Sequence, residues 1–192
     1  MERRRFLGAT GRAALVVAAA ALLPGHTPYR QWVVYRKRHL MILASKRDPE
    51  GYAKCRGLAE RLAAVLPESR ARPSRAASAE RMASLLSTGQ MDLAVIEAEA
   101  ARAMRAGEGP SKGYGPIDLR LLRALEGGHL LVARAAFPAA HAYRVAEALG
   151  AADPGPGAPL PLHPGVAALL SGAAPPPGPA SEPAGDGVED HH

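Results

Sequence analysis

The spacing of apolar positions along the chain changes several times, and each change marks an element. Residues 39–44 (His-Leu-Met-Ile-Leu-Ala) form a short continuous apolar run, as expected of a strand buried on both faces. A polar turn containing Asp48-Pro49 follows. The segment beginning at Tyr52 then places Leu58, Leu62, Val65 and Leu66 on one helical face, and Pro67 stops it. Residues 69–73 are a candidate second strand. Ser78 is placed to cap a helix over 79–87 that carries Met82, Leu85 and Leu86, with Gly89 as its left-handed terminator. Residues 91–96 form another buried strand, followed by an alanine-rich helix over 98–106 and a loop over 107–115. Two more strands are predicted at 119–125 and 130–135, separated by Gly127-Gly128. A helix over 139–149 and a Pro/Gly linker lead to residues 160–165, which open a last short helix ending at Leu170. Strands alternating with helices predict βαβ units, a mostly parallel sheet and right-handed crossovers. A ligand would then lie beyond the carboxyl ends of the strands, here residues 45–52, 74–78 and Glu97.

The two ends of the chain follow different rules. Arg3 and Arg4, a spacer, then Phe6 and Leu7 make the pattern of a twin-arginine address. Residues 13–23 are apolar, about half of the roughly 20 needed to span a bilayer, and therefore read as a signal h-region. Residues 1–28 are thus expected to be a signal peptide that directs the chain to the periplasm. No clean small-x-small site precedes Pro24, so the alternative is an uncleaved anchor in the inner membrane facing the periplasm. In that case Trp32 and Tyr35 with their basic neighbours would meet the membrane interface; otherwise they belong to a short packed helix. Residues 172–192 are rich in Pro and Gly and are expected to be disordered, because they lack the apolar surface that offsets ordering entropy. A single α/β domain over 29–171 remains.

Charge and cysteine content narrow the classes. The formal charge of +6 is inflated by the first 25 residues, and 20 basic against 17 acidic residues remain without them. The arginines are scattered and aromatics make up 4% of the chain, so no nucleic-acid partner is expected. Cys55 is the sole cysteine, which rules out an internal disulfide. Its neighbours Lys54 and Arg56 would lower its pKa if it were exposed, whereas burial would make it inert. No nucleophile elbow and no metal-spaced cluster is visible, so neither an enzyme nor a cofactor is expected. His191-His192 are read as solvated residues.

Several segments together resemble the TAXI family, the extracytoplasmic solute-binding proteins of TRAP-type transporters. Residues 40–45 with Gly51-Tyr52 are similar to the family's first strand and its tyrosine-bearing loop. Residues 85–96 (Leu-Leu-Ser-Thr-Gly-Gln-Met-Asp-Leu-Ala-Val-Ile) match its helix, glycine turn and strand. Residues 130–134, the helix at 141–149 and Leu160-Pro161-Leu162-His163-Pro164-Gly165 also resemble it. The resemblance implies a periplasmic-binding-protein-like lobe. The strand near Leu130 is followed almost at once by the helix near Ala139, so the second lobe is largely missing.

The same resemblance implies a ligand, a small organic anion, and a partner, the transporter's membrane subunit or another periplasmic protein. Ser45 and Tyr52 are the candidate contacts, with Lys46 or Arg47 as counter-charge in a loop that lacks the family's glycines. Ser78 is a further candidate, offering its hydroxyl and a helix N-terminus, although N-capping accounts for it equally. Asp92 is read as structural, and His163 as positioning the last helix. Two functional readings stand: an exported solute-binding-like protein, or a periplasmic accessory protein that has lost its ligand.

Overall fold

A computed structural model of the chain describes residues 39–155 and 157–178, all within one unit, Arg36–His192. The expected signal, including Arg3, Arg4, Phe6 and Leu7, and most of the expected tail lie outside the described residues.

Five strands form one open sheet in the order β2-β1-β3-β5-β4. β1 (Met41–Ser45) is buried along nearly its whole length because neighbours flank it on both sides and helices cover both faces. α1 (Pro49–Val65) begins where Asp48 accepts a hydrogen bond from the Gly51 N–H at 2.8 Å and Pro49 presets the first turn. β2 (Arg72–Ala76) pairs in parallel with β1, from Met41 opposite Arg72 to Ser45 opposite Ala76. That strand was expected at 69–73. Residues 67–69 instead form a 3₁₀ turn and Arg70 takes a left-handed conformation (φ 45°), so pairing with β1 sets the register three residues later. As an edge strand, β2 carries Pro73 and two exposed arginines, Arg72 and Arg75, which protect it from further pairing.

α2 (Ala79–Ser87) returns the chain across β1 to β3 (Leu93–Glu97), which is parallel to β1, and α3 (Ala98–Ala106) follows directly. The three helices do not share a face. Ile42, Ala44, Leu93 and Val95 point into one apolar cluster with Cys55, Ala59 and Leu62 of α1. Leu43, Ala94 and Ile96 point into the other, with Met82, Ala83 and Leu86 of α2 and Ala101 and Met104 of α3. This strict alternation along β1 and β3 makes both strands central.

The parallel pattern ends at the last two strands. β4 (Leu119–Ala124) is joined to β5 (His129–Arg134) by a tight link in which Gly127 and Gly128 adopt positive φ (64° and 73°). So short a link permits only an antiparallel return, since a parallel crossover takes a dozen or more residues. β5 accordingly runs antiparallel to both β3 and β4. The sheet is therefore mixed, with four of its five strands running in one direction, rather than a simple succession of βαβ units.

After β5 only residues 135–138 intervene before α4 (Ala139–Leu149). α5 (Pro164–Leu170) packs against α4 on the face shared with α1. The segment before α5 covers the β4 edge: the Leu121 N–H donates to the Pro161 carbonyl at 2.8 Å, and the His163 N–H donates to the Leu121 carbonyl at 2.9 Å. The fold is thus α/β, a five-stranded sheet with helices on both faces, and its dimensions are compatible with one lobe. Among the described residues no helix is long and apolar enough to cross a membrane.

Candidate functional site

The topology singles out one edge of the sheet. β1 and β3 are neighbours, yet α1 leaves β1 toward one face and α3 leaves β3 toward the other. Their carboxyl ends therefore flank the switch point, where an open α/β sheet forms its crevice. Because β5 is antiparallel, its first residue arrives at the same edge: His129 lies directly opposite Glu97 in the β3–β5 ladder.

Three side chains converge there. The His129 ring is buried, with Nε2 3.0 Å from Asp48 Oδ2. Asp48 belongs to the turn after β1, and its other oxygen caps α1 through the Gly51 N–H. Glu97, at the end of β3, is exposed. One ligand atom from each of Asp48, Glu97 and His129 lies within 4.8 Å of the others, a set able to hold a metal ion.

The surroundings fix this arrangement. His129 Nδ1 is 3.1 Å from the Gly127 carbonyl oxygen and 3.4 Å from Lys54 Nζ. Lys54 is paired with Glu50 one turn earlier on α1, and that ammonium holds the exposed Glu50 carboxyl below its ordinary value. Gly51 must remain small, since a Cβ there would overlap the Asp48 carboxylate and stand 3.1 Å from His129 Cδ2.

The residues chosen from sequence fall on the same edge but nearer β2. Ser45 ends β1, is 8% exposed, and accepts the Arg47 N–H at 3.1 Å through its hydroxyl. Lys46 and Arg47 are exposed, and the Lys46 N–H donates to the Ala76 carbonyl at 2.8 Å, tying the β1 loop to the end of β2. Ser78 caps α2 by accepting the Arg81 N–H at 3.3 Å. Its hydroxyl also lowers the pKa of Glu80, whose carboxylate in turn feels the charge of Arg47. Tyr52 points elsewhere: its ring is covered by the Arg75 guanidinium, 3.8 Å from the ring centroid. The structure thus gathers Ser45, Lys46, Arg47 and Ser78 and sets Tyr52 apart on the flank of α1.

Sequence reasoning missed the Asp48–Glu97–His129 group, and the reason differs by residue. Asp48 and Glu97 both lie in the strand-end segments named beforehand, but each is accounted for locally, as a turn residue and a strand terminus. His129 gave no signal of its own. It joins the edge only because β5 reverses direction, which the Gly127-Gly128 spacing foretells if read as a tight hairpin.

Other notable groups are structural. Cys55 is fully buried, its Sγ–H donates to the Ile42 carbonyl at 3.1 Å, and burial pushes the thiol up to about 12. The basic neighbours therefore do not activate it. Asp92 pairs with Arg134 at 3.2 Å and accepts the Arg134 N–H through its carbonyl. His163 caps α5 by accepting the Gly165 N–H at Nδ1, 3.3 Å away. Comparison of the chain with protein-family models, with curated proteins and with solved structures gives no match.

Proposed function

We propose that this domain is an exported, single-lobe relative of the TAXI solute-binding proteins that binds a small organic anion at the carboxyl edge of its sheet. The observation that carries the reading is the position of Lys46 and Arg47. Two exposed cations follow β1 immediately, beside the α2 N-terminus, at the edge where open α/β sheets bind ligands. Helix α2 adds partial positive charge there through its unpaired N–H groups. The passage from β5 to α4 through residues 135–138 supports the single-lobe part. The proposed activity is binding, with no reaction assigned, and the proposed location is the periplasm, reached by the twin-arginine route.

One observation favours a second reading, a periplasmic accessory protein that binds its partner and no solute. Ser45, Ser78 and Tyr52 already have internal partners in Arg47, Arg81 and Arg75. Only the Lys46 and Arg47 side chains then remain for a ligand among the five candidate contacts. A thermal-shift screen of the full chain against dicarboxylates and amino acids separates the two. A ligand at 100 times its Kd contributes about 2.7 kcal/mol, or several degrees in a domain of this size. The solute-binding reading expects such a shift, and expects it to disappear in the K46A/R47A double variant. A flat screen on folded protein selects the accessory reading.

A further inference from the structure

We propose that Asp48, Glu97 and His129 form a binding site for a divalent transition-metal ion of the zinc or cobalt class, independent of any organic solute.

Both ring nitrogens of His129 are held by neighbours. Nδ1 lies 3.1 Å from the Gly127 carbonyl oxygen, which is an acceptor only. The Lys54 ammonium, a donor, lies 3.4 Å from the same nitrogen, so Nδ1 has a partner in either tautomer. Nε2 faces Asp48 Oδ2 at 3.0 Å. With a metal ion bound, the ring proton would sit on Nδ1 toward the Gly127 carbonyl, leaving Nε2 and Asp48 Oδ2, 3.0 Å apart, as ligand atoms. A carbonyl holding the far nitrogen is also the arrangement that orients metal-bound histidines, because it fixes the tautomer and raises the basicity of the ligating nitrogen.

The carboxylates are prepared in a similar way. Asp48 spends Oδ1 on the Gly51 N–H, which anchors the group and leaves Oδ2 facing the ring. Glu97 lies across the ladder from His129, so both side chains emerge on one face of the sheet. Its exposure provides an entry path. Glu97 and His129 are fixed by the sheet at the end of β3 and the start of β5, and Asp48 by its capping bond at the start of α1.

Charge and ligand type define the ion. Two carboxylates and one neutral imidazole balance the two charges of a divalent ion. The nearest cation, Lys54, is offset by Glu50. One imidazole with two carboxylates suits zinc, cobalt, nickel or iron(II) better than calcium or magnesium, which prefer all-oxygen sites. Three protein ligands leave coordination positions open to water.

The test is a titration of the full chain with Zn2+ and with Co2+, without organic anions, read by melting temperature and by the visible absorption of bound Co2+. The wild-type protein is expected to bind one equivalent with a rise in melting temperature and a cobalt band typical of nitrogen and oxygen ligands. E97Q changes an exposed side chain and leaves the fold intact; it should weaken binding at least about tenfold, the lower range seen when metal-site residues are altered. D48N retains a capping oxygen and should do the same. H191A/H192A removes the terminal pair and should leave the effect in place. Binding equal in wild type, E97Q and D48N, or binding lost only in H191A/H192A, overturns the proposal. Because no organic anion is present, metal binding can succeed or fail whatever the solute screen gives.

Discussion

His163 illustrates how one residue can carry a structural load that only its surroundings define. Its ring is 1% exposed, caps α5 through Nδ1 and meets the edge of Phe137 at 6.1 Å between centroids. Burial pushes its pKa below the ordinary 6.5, the Phe137 backbone opposes that shift and Arg120 adds to it. The unfolded chain therefore binds a proton more readily than the folded one. Stability contributed by the neutral ring is complete above pH 6.5 and is lost as pH falls through that value toward the lower folded one. Urea melts at several pH values should show wild type losing stability on acidification more steeply than H163N, which retains a capping group but does not titrate. Parallel pH profiles for the two proteins would contradict this account. From sequence, His163 was legible as a positioning residue for the last helix, because it stands directly before the Pro164-Gly165 helix start. Its burial was not legible, since Phe137 lies 26 positions earlier and reaches it only through the packing of α5.

At the scale of elements, the contact between α4 and α5 rests on a single glycine. A Cβ at Gly165 would collide with the Ala139 carbonyl oxygen and lie 2.8 Å from the Tyr143 nitrogen. Both obstacles are backbone, so no rotamer change relieves the clash. G165A should cost about 1–3 kcal/mol, the range for overpacking a tight core contact, measured as a lower midpoint in chemical unfolding. Wild-type stability in G165A would mean that the two helices are not in such close contact. The glycine was visible beforehand only as part of a composition pattern; the reason for it, a backbone-to-backbone approach, needs both helices in place. α2, α3 and α4, by contrast, have the bounds expected from sequence; Ser78 caps α2 as expected, and the structure adds that Gly107 and Gly150 end α3 and α4 in left-handed conformations. The shift of β2 from 69–73 to 72–76 has the opposite cause: an edge strand with few apolar residues takes its register from its partner.

For the molecule as a whole, the buried cysteine serves as a probe of unfolding. Cys55 sits under β1 on α1 with its thiol pushed up to about 12, and it lies in the cluster that joins α1, α4 and α5 to the sheet. Its reaction with a thiol reagent at neutral pH should wait for opening of that core, so the labelling rate should track the unfolding equilibrium across a urea series. Fast labelling of the native protein would show that α1 detaches alone. The α/β class, the alternation of elements, the ends of three helices and the strand-end segments of the candidate edge were legible in the sequence. These follow from local rules of period, capping and turn chemistry that act over a few residues. Tertiary structure alone decided that β5 enters between β3 and β4, that His129 thereby meets Asp48 and Glu97, and that Tyr52 turns to Arg75 instead of the crevice. Each of these depends on contacts between residues 23 to 81 positions apart, such as the 81 between Asp48 and His129. Pairing and packing across such distances are set by the whole sheet; the local Gly127-Gly128 link encodes only the reversal of β5 against β4.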